Sequence, residues 1–96
     1  MFLCEAHKKN IYKIEITDTF GGDANYSWVR RYLVKAKSEL GAVVVVAKNY
    51  GAGWRKDYPG RYNLKGAAVC MFVDWIDETG AGEYRENSSR VEQLNF

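Results

Sequence analysis

At 96 residues and 11.0 kDa the chain has room for one domain, and its three Trp, seven Tyr and four Phe in a 47% hydrophobic composition rule against a disordered segment. The net charge of +2 is too small to mark a nucleic-acid binder on its own. One histidine and two cysteines leave little material for metal or nucleophilic chemistry.

The chain opens with Met1-Phe2-Leu3-Cys4-Glu5-Ala6, followed at once by His7-Lys8-Lys9, the reverse of the charge-then-apolar order of a secretory signal. The longest apolar runs, Ala42–Ala47 and Ala67–Val73, fall well short of the roughly 18 residues of a membrane span. A cytoplasmic protein with no membrane segment is the expectation. Cys4 and Cys70 share no C-x-x-C spacing, and Cys70, inside Val69-Cys70-Met71-Phe72, reads as a small buried apolar residue.

Residues 10–19 alternate, with Tyr12, Ile14 and Ile16 on one side and Lys13, Glu15 and Thr17 on the other, which marks a half-buried strand. Phe20-Gly21-Gly22-Asp23-Ala24-Asn25 permits positive φ and a chain reversal. A second strand then runs from Trp28 to Lys37, with Tyr32, Val34 and Ala36 sharing a face and Leu33 out of pattern. Val43-Val44-Val45-Val46 favours a strand by propensity. Ser38 as N-cap, Glu39 and Lys48 at the matching dipole ends and Gly51 as a left-handed C-cap favour a helix over 39–50, and the sheet needs an apolar cover. The helix is preferred.

Ala52 to Gly60 reads as a loop, and Arg61 to Ile76 as one extended segment with a kink or bulge at Gly66. On it Val69, Met71, Val73 and Trp75 share one face and Cys70, Phe72 and Ile76 the other, as in a central strand. A short edge strand is expected near Tyr84, and a frayed helical turn after Asn87. The expected fold is therefore α+β: an antiparallel sheet of three to four strands with one helix on one face, in the order β-β-α-β-β.

Charge is distributed unevenly. Residues 1–65 carry twelve basic and six acidic groups, whereas residues 66–96 carry two basic and six acidic. The two halves either present opposed potentials or neutralise each other in the fold.

The densest cluster of binding-type residues is Tyr50–Tyr62, with Trp54, Arg55, Lys56, Tyr58 and Arg61 among flexible glycines. Trp, Tyr and Arg dominate binding hot spots because they supply large contact area at low entropic cost. The same mixture can stack bases and neutralise phosphates, and equally it can leave Trp54 and Tyr62 covering the core. A second cluster, Tyr26-Ser27-Trp28-Val29-Arg30-Arg31-Tyr32, sends one of Arg30 and Arg31 to each sheet face. Asp18, Asp23 and Asn25 flank the glycine turn without the spacing of a calcium loop, and turn chemistry accounts for them. Asp74, Asp77 and Glu78 read as a charged strand end rather than a catalytic carboxylate pair. His7 stands near no serine or cysteine motif, and no P-loop is present. No cofactor or metal is expected, and no catalysis.

Three stretches, Ile16–Arg31, Tyr50–Trp54 and Leu64–Phe72, together resemble small proteins encoded by bacteriophages and mobile elements. The resemblance spans about residues 11–78. Some phage proteins of this size are anti-defence inhibitors, anti-CRISPR proteins among them, which occlude a surface of a host nuclease complex. The resemblance implies a non-enzymatic inhibitor in the host cytoplasm that binds a host protein or ribonucleoprotein stoichiometrically, and it assigns no catalytic residue. The other expectation, a nucleic-acid-binding domain, uses the Trp54–Tyr62 loop.

Overall fold

Alternation of apolar and polar side chains builds the two longest strands of the computed structural model, which describes residues 9–96: β1 (Asn10–Phe20) and β2 (Asp23–Ala36). They form an antiparallel hairpin closed by Gly21 and Gly22, at φ +63° and +90°, so the second strand starts at Asp23 after a tight turn rather than at Trp28. Two consecutive positive φ values match the right-handed twist of the flanking strands, and only glycine adopts them freely. Ile14 lies opposite Tyr32 and Tyr12 opposite Val34, so one hairpin face is apolar throughout its inner length. Cys4 and His7 lie outside the described residues.

Helix α1 (Glu39–Tyr50) covers that face. Ser38 Oγ accepts from the Gly41 N–H at 3.1 Å, and Gly51, at φ +93°, donates to the carbonyls of Ala47 and Lys48. Four valines in a row each cost a helix roughly 0.5 kcal/mol against alanine. Complete burial of Val43 and Val46 returns about 1.5–3 kcal/mol each, so packing decides in favour of the helix that the caps define.

Residues 69–76 form a central strand as expected, while the rest of the chain departs from the sequence expectation in four places. Segment 52–60 contains a strand, β3 (Trp54–Tyr58). The single extended segment 61–76 is two strands, β4 (Arg61–Leu64) and β5 (Val69–Ile76), because Gly66 at φ +77° sits in a four-residue turn and folds them into a hairpin. The expected edge strand near Tyr84 is a helix, α2 (Glu78–Asn87), and the expected helical tail is strand β6 (Val91–Asn95). Among the described residues the result is a six-stranded mixed sheet in the order β3-β4-β5-β1-β2-β6 with two helices, not three to four antiparallel strands with one. All neighbours are antiparallel except β2 and β6, which α2 makes parallel by carrying the chain back across the sheet.

α2 forms despite two glycines because Asp77 caps it, its Oδ1 accepting from the Gly80 N–H at 2.7 Å. Ala81 is buried against the sheet, and the Tyr84 hydroxyl donates to Glu15 Oε2 at 2.7 Å. The helix therefore lies on the face opposite α1, over β1. The two glycines differ. A Cβ at Gly80 would stand 2.7 Å from Ile76 Cγ1, whereas one at Gly82 meets none of the described residues within 4 Å. Gly82→Ala is therefore expected to add about 0.5–1 kcal/mol, or roughly 3–6 °C in Tm, and Gly80→Ala to lower Tm. Thermal melts of the two variants check the pair.

The unequal charge halves interleave, since β5 inserts between β4 and β1. Lys13 lies 3.9 Å from Asp74 and its ammonium sits 5.4 Å from the centre of the Tyr84 ring. Among the described residues no helix is long and apolar enough to cross a membrane.

Candidate functional site

The hairpin register slips once, and that slip shapes the surface. Thr17 pairs with Val29 and Thr19 with Ala24, so Asn25–Trp28 stand opposite Asp18 alone. The Asp18 carboxylate holds this wide bulge together. It accepts from the Ser27 hydroxyl at 2.7 Å, the Asn25 amide at 2.8 Å and the Ser27 N–H at 3.0 Å. Thr17 Oγ1, fully buried, accepts from the Tyr26 N–H at 2.9 Å. Turn chemistry thus engages Asp18 and Asn25, and among the described residues no cluster of three or more His, Cys, Asp or Glu is placed to hold a metal ion.

The Ser27 hydroxyl first, then the Asn25 amide, hold the Asp18 carboxyl well below the ordinary 3.8. A depressed folded-state pKa gives stability that is present above the unfolded value and lost as pH falls through it toward the folded value. Asp18→Asn is expected to flatten the fall in Tm between about pH 5 and pH 2, and melts at several pH values across that window read it directly.

The bulge folds over the face opposite α1 and brings Tyr26 to β5. Its ring stacks on Phe72 with centroids 6.5 Å apart and planes 10° from parallel. The Arg61 guanidinium lies 5.7 Å from the Phe72 centroid and 5.8 Å from that of Tyr58, and its Nη2 donates to the Gly22 carbonyl at 2.6 Å. Tyr26, Phe72, Arg61 and Tyr58 form one continuous assembly beside the area that α2 covers. Arg61 is its buried centre, while Tyr26 and Tyr58 remain 58% and 52% exposed. Tyr26 adopts φ +56°, a left-handed conformation that costs an L-residue roughly 1–2 kcal/mol. Non-glycine residues in such conformations gather at functional sites, where surrounding bonds over-determine the backbone.

Of the residues singled out by sequence, the structure brings Tyr26, Tyr58 and Arg61 together, with exposed Arg55 on the same sheet face, opposite Asn63. It does not bring the others there. Trp54 is half-buried on the α1 face, edge-on to Tyr62 at 5.8 Å and 73°, and Lys56 sits 6.0 Å from the Tyr62 ring centre on the same side. Arg30 also faces α1, 5.4 Å from the centre of the Tyr50 ring. Arg31 points to the other face but toward α2, 3.9 Å from Glu15. Trp28 is 39% exposed at the end of the bulge.

Phe72 and Asp18 are the two participants that a search for exposed aromatic and basic clusters passes over. Alternation along β5 already sets Phe72 opposite Val69, Met71 and Val73, which is the signal that could have found it. Asp74, 3.9 Å from Lys13, and Asp77, the α2 cap, have structural partners, and Cys70 is buried, its thiol pushed up by desolvation. Compared with known protein families, curated proteins and solved structures, the chain matches none.

Proposed function

We propose that the chain is a non-enzymatic binding protein that engages its partner stoichiometrically through the Tyr26–Phe72–Arg61–Tyr58 surface. The partner is a host defence protein or ribonucleoprotein, inhibited in the manner of the phage and mobile-element proteins that the sequence resembles. The observation that supports this reading is the pre-arranged aromatic assembly. Two exposed tyrosines are held in place by a buried arginine and by the Asp18 bonds, so little freedom remains to be lost on docking.

Capture from host cells with the immobilised protein tests it. A specific partner retained by the wild type and by Trp75→Ala, on the α1 face, but lost from a Tyr26/Tyr58 variant supports the reading. Equal retention by all three baits contradicts it.

A second reading has its own observation: exposed Arg55 and Lys65 line one groove with Arg61, which itself lies against the Tyr58 and Phe72 rings, a mixture that can stack bases and neutralise phosphates of single-stranded nucleic acid. Oligonucleotide titration distinguishes the two, because phosphate neutralisation gives an affinity that falls steeply with salt.

A further inference from the structure

Next to the aromatic assembly, an open groove of about 460 Å³ runs between the β1–β2 turn and the β4–β5 turn. Regular strand geometry supplies its basic wall. Arg55 and Asn63 pair directly across β3 and β4, and Arg61 stands two residues from Asn63 on the same side. Lys65 closes the end, its N–H bonded to the Gly53 carbonyl at 2.9 Å and its aliphatic stem lying along Gly53. Among the described residues Asp57 is the one carboxylate in the lining, so three cations face a single acid.

Arg61 is unusual among these. Its residue is only 8% exposed, and Nε, shut away from solvent, donates no hydrogen bond. Asp57 Oδ2 lies 3.3 Å away but out of line with the N–H. Nε is thus ion-paired with Asp57 without a well-aligned hydrogen bond, and an oxyanion in line with the N–H would bond to it more strongly. After Asp57 offsets one of the three cations, the remaining two match a doubly charged tetrahedral oxyanion better than a single carboxylate.

We infer that the groove lined by Arg55, Arg61, Asn63 and Lys65 is a phosphate-binding subsite, with Asp57 the internal anion that a bound phosphate displaces from Arg61. The inference goes beyond the partner reading, since it names a small-anion site that exists whichever macromolecule docks alongside. The phosphate is either a free one, inorganic or on a nucleotide, or one in a nucleic-acid backbone.

The test is an amide-resolved NMR titration of the full chain with inorganic phosphate, with a nucleoside monophosphate and with a short single-stranded oligonucleotide, each against sodium chloride at matched ionic strength. Saturable shifts at Asn63, Lys65 and Gly66 that chloride does not reproduce are expected. Arg55→Ala with Lys65→Ala, both exposed positions, should weaken phosphate binding about tenfold or more, and Asp57→Asn should strengthen it several-fold. Trp75→Ala, exposed on the opposite sheet face, should leave the titration unchanged. Tighter binding of the oligonucleotide than of the monophosphate, lost in the double variant, assigns the phosphate to a nucleic-acid chain; equal binding assigns it to the free ion or nucleotide. Linear shifts matched by chloride, or affinity unchanged in the double variant, overturn the inference.

Discussion

Tyr62→Ala is expected to remove a large share of the fold's stability. Tyr62 is fully buried, pairs with Met71 across β4 and β5, receives the edge of Trp54, and donates from its hydroxyl to Glu39 Oε2 at 2.5 Å. Truncating an aromatic in a packed core costs about 3–5 kcal/mol, against a total of about 5–15 for a domain. At 4–8 °C per kcal/mol for a chain of this length, Tm should fall by roughly 15–30 °C. Tyr62→Phe keeps the ring and loses only the bond that fastens the start of α1, so about 1 kcal/mol is expected. Urea denaturation of both variants checks the ratio. Equal losses would mean that the hydroxyl bond, rather than the ring, holds α1 to β4.

Tyr26→Gly with Tyr58→Ala should have the opposite profile. Both side chains are more than half exposed. At position 26 glycine relieves the positive φ, so the first change is expected to be neutral or stabilising by up to about 1 kcal/mol. The partner should be lost all the same, since truncating an aromatic hot spot costs about 2 kcal/mol or more, and two together at least 100-fold in affinity.

The parts of the fold that alternation and caps encode locally are legible in the sequence. Tyr12, Ile14, Ile16, Tyr32, Val34 and Ala36 all face the core as their spacing requires, and Ser38 and Gly51 bound α1 as capping residues. The elements that depend on distant neighbours are not. β3, with Arg55, Lys56 and Asp57 in a row, has no apolar period and exists as an edge strand because β4 offers it hydrogen bonds. β6 follows from the crossover that α2 makes, and α2 hides behind two glycines whose propensity cost the Asp77 cap and Tyr84 contacts outweigh.

The candidate site divides in the same way. Trp54 and Arg55 are adjacent in sequence and point to opposite faces, so a dense cluster along the chain becomes two separate surfaces. Tyr58 joins Arg61 only because β3 slips register after Lys56, and Tyr26 reaches Phe72 only through the bulge that Asp18 holds. Register slips of this kind leave no signature in composition or spacing.

If the partner docks on the surface centred on Arg61, opposite α1, substitutions there and on the α1 face must have unequal effects. The most direct measurement is the affinity of the captured partner for the wild type, for Tyr26→Gly with Tyr58→Ala, and for Trp75→Ala, each variant first shown to melt within a few degrees of the wild type. Docking on the proposed surface predicts a loss of at least about 100-fold for the double variant and less than about threefold for Trp75→Ala. Unchanged binding by the double variant would remove the contact from the Tyr26–Tyr58 surface, and a large loss from Trp75→Ala would move it to the α1 face.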